Sequence, residues 1–103
     1  MKDTCELCGR QGVVLTRHHL VPRTRHRNKR VRRRFSRQEL ATRILMVCRP
    51  CHSQIHALLS EKALAEQFHS REALLAHPGI RRFVEWIRTR PADLKPRGRK
   101  RRR

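Results

Sequence analysis

Cys48-Arg49-Pro50-Cys51-His52-Ser53-Gln54-Ile55-His56 is the stretch on which the reading of this chain turns. Cys-x-x-Cys is a knuckle spacing that lets two thiolates bind one metal ion. On a helix, positions i and i+4 share a face, so His52 and His56 can share a second ion. Each half of the stretch has one partner upstream: Cys5-Glu6-Leu7-Cys8 for the sulfurs, and His18-His19 for the imidazoles.

Composition says why metal matters. The chain has 103 residues, of which 4% are aromatic and 34% charged, so its apolar core is thin. Its length suits one domain, and small domains of this kind need a metal or disulfides to fold. All four cysteines fall in two Cys-x-x-Cys pairs. With no secretory signal peptide in view, that pattern favours metal over disulfides. A lone Cys-x-x-Cys reads equally as a redox motif, whereas two pairs point to a closed tetrahedral zinc site with four cysteine ligands. The 39 residues between the pairs are long for a simple ribbon, but a hairpin can return the chain. No apolar run approaches the roughly 20 residues of a membrane span, so a soluble cytoplasmic protein with no membrane partner is expected.

The formal net charge is +19, from 27 Lys and Arg against 8 Asp and Glu. Residues 23–34 hold eight basic residues and 95–103 hold seven, with no acid in either segment. A zinc ion held by four thiolates would subtract about two charges and leave this balance intact. Charge so concentrated points to a polyanion, with nucleic acid the leading candidate. It does not distinguish DNA from RNA, or binding from cutting.

Val13 to Thr16 reads as a strand, running on through Arg17-His18-His19-Leu20-Val21 until Pro22. In an extended chain His18 and His19 point to opposite sides, which predicts different roles for them. Residues 23–37 read as a basic loop, too charged to pack and ordered only against phosphate. A helical turn over 38–42 and a second strand over 44–47 lead to Cys48. A helix from about Cys51 should bury Ile55, Leu58 and Leu59. Ser60 and Ser70 are placed to cap two short helices, the first containing Leu64 and Phe68 and the second Leu74 and Leu75. The second should stop at His77-Pro78-Gly79. Ile80, Phe83, Val84 and Ile87 then recur at i, i+3, i+4 and i+7, with Trp86 beside that stripe. His26, His69 and His77 read as bystanders, and Asn28 as an ordinary polar loop residue. If zinc pins the hairpin to the helix, the four remaining histidines come together. Three imidazoles with one open position would then make a catalytic metal site.

The order Cys5-x-x-Cys8, His18-His19-Leu20-Val21-Pro22-Arg23, Cys48-x-x-Cys51-His52-x-x-Ile55-His56 resembles an HNH endonuclease with structural zinc. The matching motifs span residues 5–56, about half the chain. The resemblance implies an α+β fold: a small ββα-metal (His-Me finger, treble-clef-like) zinc domain with additional C-terminal helices. Residues 1–59 would form that core, 60–91 a helical extension packed on it, and 92–103 a disordered basic tail. Cys5, Cys8, Cys48 and Cys51 would hold structural Zn2+. By position, His19 resembles the general base, and His18, His52 and His56 resemble ligands of a catalytic divalent ion, Mg2+, Mn2+, Ni2+ or Zn2+. The activity implied is hydrolysis of DNA phosphodiester bonds to 5′-phosphate and 3′-hydroxyl ends, RNA being the less favoured substrate. Arg23, Arg25, Lys29, Arg30, Arg32, Arg33 and Arg34 would contact phosphates near the cut, and Lys95 to Arg103 would add non-specific affinity. One departure is plain: Thr42 to Val47 lacks the Asn that family members often carry there to orient the base. A non-catalytic zinc-stabilised DNA- or RNA-binding protein, for instance one associated with ribosomes, is the alternative. It would need the cysteines but not the histidines.

Overall fold

The computed structural model describes residues 2–92. Its architecture is α+β, built on a hairpin. β2 (Val13–His19) runs antiparallel to β3 (Ile44–Cys48), in register from Leu15 opposite Cys48 to His19 opposite Ile44. The short β1 (Lys2–Asp3) pairs antiparallel with the other edge of β2, giving the order β1-β2-β3. The hairpin is what closes the long separation between the two cysteine pairs. Because the pairing runs the full length of β3, the second pair is delivered beside the start of β2.

The segment joining the strands departs from the expected loop. A 3-10 turn spans Arg23–Arg25, α1 spans Lys29–Arg34 and α2 spans Arg37–Thr42. The reading of 23–37 as too charged to pack is therefore corrected, and the reasons are local. Asn28 caps α1, its side-chain oxygen accepting from the amides of Arg30 at 2.9 Å and Val31 at 3.3 Å. Three cations, Arg32, Arg33 and Arg34, sit in the last turn, where the helix dipole favours them. Val31 and Phe35 are buried in a small satellite core with Val21, Leu40 and Ala65. Ser36 and Glu39 form a reciprocal capping box at the start of α2. Asn28 is thus a helix cap rather than a free loop residue.

α3 (Arg49–Leu58) begins two residues earlier than expected, with Cys48 as its N-cap residue and Pro50 in its first turn, where a missing amide hydrogen costs nothing. It is followed by α4 (Glu61–Glu66), α5 (Arg71–Ala76) and α6 (Pro78–Ile87). Ser60 and Ser70 cap α4 and α5 as expected, accepting from the amides of Ala63 and Ala73. His77 both ends α5 and caps α6, its Nδ1 accepting from the amides of Gly79 and Ile80. It is therefore not a bystander. Phe68 lies beyond α4 but packs half-buried on the main core.

α6 packs on α3, and one cluster of buried side chains runs from the cysteines through Val47, Ile55, Leu64, Leu74 and Ile80 to Ile87. Leu58, expected in the core, is 36% exposed, and Trp86, beside the expected stripe, is 42% exposed. Leu58 lies over the start of α6, its Cδ1 only 3.0 Å from where a Cβ on Gly79 would stand, so that glycine sets the approach of the two helices. Trp86 lies on the outer face of α6 against Phe83, with the Arg90 guanidinium over its ring. The basic tail from Lys95 to Arg103 lies outside the described residues.

The Asn28 cap is testable. Asn28→Ala should lower stability by about 1 kcal/mol, while Asn28→Asp should hold it. Chemical denaturation monitored by circular dichroism checks this, and equal stability of all three proteins would refute the capping role.

Candidate metal centres

The first centre is made of sulfur. Cys5 and Cys8 sit on the turn between β1 and β2, Cys48 ends β3 and Cys51 lies in the first turn of α3. All four are buried and unpaired, and their sulfurs lie within 4.8 Å of one another. The Cys8 and Cys48 sulfurs are 3.9 Å apart. A tetrahedral zinc with Zn–S bonds near 2.3 Å separates its sulfurs by about 3.8 Å, so the cluster fits a structural zinc ion.

The backbone prepares this site for negative charge. The amides of Leu7, Cys8 and Cys48 all donate to the Cys5 sulfur, at 3.4, 3.4 and 3.3 Å. Gly9 makes the turn possible with φ +83°, and its own amide goes to the Cys5 carbonyl rather than to a sulfur. The Glu6 amide donates to the Met46 carbonyl, tying the knuckle to β3. Hydrogen bonds from Cys48 and Cys51 hold the Cys5 thiol far below its ordinary range. The bond with Cys48 brings Cys8 down to about 6, whereas Cys48 is pushed up, mainly by its bond with Cys5, and Cys51 is pushed up by its bonds with Cys48 and Cys5. For all four to ionise together the pocket would need a cation.

Arg10 completes the surroundings and carries no signal in the sequence pattern. It is 6% exposed, and its guanidinium donates to the Cys48 sulfur at 3.6 Å and to the Pro91 carbonyl. Burial opposes its charge, but the bonds to Cys48 and Cys8 outweigh that and raise its pKa. A zinc ion with four thiolate ligands carries two net negative charges, and a buried cation beside it lowers their cost.

The second centre is made of imidazoles. His18 on β2 and His52 and His56 on α3 bring one ring nitrogen each within 4.8 Å of the others. The ring centroids of His18 lie 5.3 Å from His52 and 5.4 Å from His56, and those of His52 and His56 lie 5.0 Å apart. His18 is buried, His52 half-buried and His56 exposed, so the cluster has a closed floor and an open side. Both ring nitrogens of His18 lack a hydrogen-bond partner despite full burial. Such an orphan is costly unless something absent here satisfies it, and three converging imidazoles are a cation-binding set. Burial, and then the neighbouring histidines, lower the His18 pKa to about 4, and burial and His56 lower that of His52. Both rings are neutral at pH 7 and have a lone pair to give.

His19, the last residue of β2, alternates to the other side of the strand and is half-buried outside the trio. Burial lowers its pKa, with further contributions from His26, Arg23 and Arg17. His26, expected to be a bystander, faces it edge-on at 6.3 Å between centroids and hydrogen-bonds the Val21 carbonyl through Nε2 at 2.8 Å. Arg23 and Arg25 lie in the 3-10 turn and Lys29, Arg30, Arg32, Arg33 and Arg34 on α1, all exposed except the half-buried Arg25. Two of these hold the fold as well. Arg32 donates to the His26 carbonyl, and Arg34 to the Glu66 carbonyl and toward the His69 ring. His69, packed edge-on against Phe35, is likewise part of the satellite core's border.

Among curated proteins, the "Uncharacterized protein YisB" of Bacillus subtilis (strain 168) is 40% identical over 91 residues, covering 86% of this chain and 77% of the relative. No family model matches the chain, and neither does any solved structure. No helix among the described residues is long and apolar enough to cross a membrane.

Two outcomes follow from these centres. The purified protein should carry at least one zinc per chain by elemental analysis, and Cys48→Ser should lose the metal of the sulfur cluster and the cooperative melting transition. Arg10→Met should fold but surrender zinc to a chelator about tenfold more readily; unchanged retention would remove its role. The second outcome concerns pH in the absence of added divalent cation. The folded His18 pKa lies below its unfolded value near 6.5, so the unfolded chain binds more protons between the two. The stability that His18 contributes is present above pH 6.5 and is lost as pH falls toward 4, by about 3 kcal/mol. His18→Gln should flatten that part of the stability profile in urea titrations.

Proposed function

This chain belongs to the family of that Bacillus subtilis protein, and we propose that it is a metal-dependent HNH endonuclease of the ββα-metal type that hydrolyses DNA phosphodiester bonds. The observation that carries this reading is the buried, unpartnered His18 converging with His52 and His56, one strand position from His19. A zinc-stabilised binding protein needs the four sulfurs but has no use for a buried imidazole with two orphaned nitrogens. The strongly basic chain supplies the second support, because a protein of net charge +19 attracts a polyanionic substrate.

The residues divide the work. A divalent ion held by His18, His52 and His56 would supply charge stabilisation for the pentacovalent phosphorus and the departing 3′ oxygen. His19 accepts a proton from the water that attacks phosphorus, and its lowered pKa keeps it unprotonated at neutral pH. Arg23 and the exposed cations of α1 neutralise the phosphates flanking the cut. The basic residues 95–103 add affinity without sequence preference. Asn28 does not orient the base, since its side-chain oxygen is committed to the start of α1. His26, facing His19 and fixed to the Val21 carbonyl, is the polar side chain that borders the base instead.

The second reading, a non-catalytic DNA- or RNA-binding protein, is favoured by one observation: no Asn stands between Thr42 and Val47. Nicking of supercoiled plasmid separates the two. With Mg2+, Mn2+ or Ni2+ the wild type should nick, and His19→Ala should be slower by at least about 100-fold. The rate should rise with pH through a value below 6.5 and then hold to pH 8, because burial and nearby cations lower the His19 pKa. Loss of activity between pH 6 and 8, or no cleavage with any of these ions, would sink the nuclease.

A further inference from the structure

Thr16 stands in the middle of β2, opposite Val47 of β3, and its hydroxyl touches two groups. Its Oγ1 lies 3.0 Å from the Val47 carbonyl oxygen and 2.8 Å from Nδ1 of His52. A hydroxyl has one hydrogen, and a carbonyl can only accept. If Thr16 gave its hydrogen to His52, two oxygens without a hydrogen between them would face each other at 3.0 Å in a half-buried site. If Thr16 gives it to Val47 instead, the hydroxyl lone pair is free to accept from His52, and both contacts are satisfied. The second arrangement requires His52 to carry its hydrogen on Nδ1.

We infer that Thr16 is a positioning residue that holds His52 as the Nδ1–H tautomer and leaves Nε2 as the ring nitrogen with a lone pair for the imidazole cluster. This rests on the metal reading above for its purpose, though not for its hydrogen-bond logic. The chain order explains why a threonine suits the post. A β-branched side chain on a strand has few rotamers, so its hydroxyl is aimed by the backbone alone. That backbone is paired residue for residue with β3, whose last residue, Cys48, is the N-cap of α3. The hydroxyl therefore reaches the first turns of the helix, at the residue directly after Cys51, and fixes the ring that projects there. Histidine ligands in metal sites are commonly oriented through the other ring nitrogen in this way, and losing that partner weakens metal binding by about 10- to 100-fold.

The test uses the zinc-loaded full chain with two variants. Thr16→Val keeps shape and branching but removes the hydroxyl, and Thr16→Ser keeps the hydroxyl. Zinc content and melting temperature confirm that each variant is folded. Ring-nitrogen NMR of 15N-histidine protein, with His52 assigned from the His52→Gln spectrum, should show Nδ1–H in the wild type and in Thr16→Ser. Thr16→Val should lose that single tautomer and bind added Co2+ at the histidine cluster about 10- to 100-fold more weakly, with Thr16→Ser near wild type. Hydrogen on Nε2 of His52 in the wild type overturns the inference. So does a Thr16→Val protein with unchanged tautomer and Co2+ affinity. Wild type that shows Nδ1–H but takes up no Co2+ at these histidines supports the hydroxyl's role and overturns the catalytic-metal reading instead.

Discussion

The joint made by four sulfurs is the constraint on which the other features depend. It closes the turn after β1 onto the boundary between β3 and α3, with three backbone amides from two separate segments converging on the Cys5 sulfur. In a chain that is 4% aromatic, few large side chains are available to hold that boundary by burial alone. The buried side chains from Val47 and Ile55 to Ile87 pack outward from the cysteines rather than forming a core beside them. Arg10 shows how far the joint shapes its surroundings, because an arginine is seldom buried without an anionic partner.

Adjacent residues serve different centres across this joint. Cys51 turns into the sulfur cluster and His52 into the imidazole cluster, and β2 delivers Thr16, His18 and His19 in the same few residues. Both centres therefore share the same two pieces of backbone: the paired strands and the first turns of α3. The angle between hairpin and helix is set by the sulfurs and is needed by the histidines. A loss of metal at the first centre would misplace His18 relative to His52 and His56 without touching any of them.

Much of this was legible from spacing. Period-two alternation along a strand separates His18 from His19, and the i, i+4 relation pairs His52 with His56; the backbone places these rings as those rules require. The four cysteines gathered as their knuckle spacing implied. What could not be read depends on neighbours remote in sequence. The role of Thr16 exists only because register sets it opposite Val47, and Arg10 meets Cys48 only after the hairpin has closed. α1 was hidden for a different reason: its charge reads as disorder, while a cap, a favourable dipole and two buried apolar anchors outweigh that charge. Leu58 shows the limit of apolar periodicity, which marks a stripe but not how far a neighbouring helix covers it.

The donor set also bears on which ion the second centre would accept. Neither group of potential ligands among the described residues contains a carboxylate: one is all sulfur and the other all imidazole. Mg2+ takes oxygen donors and gives up its waters reluctantly, whereas imidazole suits the later first-row ions. Three imidazole donors would therefore favour an ion such as Zn2+ or Ni2+ in the free protein. Mg2+ would have to draw most of its binding from the phosphate it acts on. The same absence of acids has a second consequence for the proposed base. With His26, Arg23 and Arg17 around it, His19 is held neutral by burial and cations. Its orientation then has to come from its position at the end of β2 and from His26, which faces it and is itself fixed to the Val21 carbonyl.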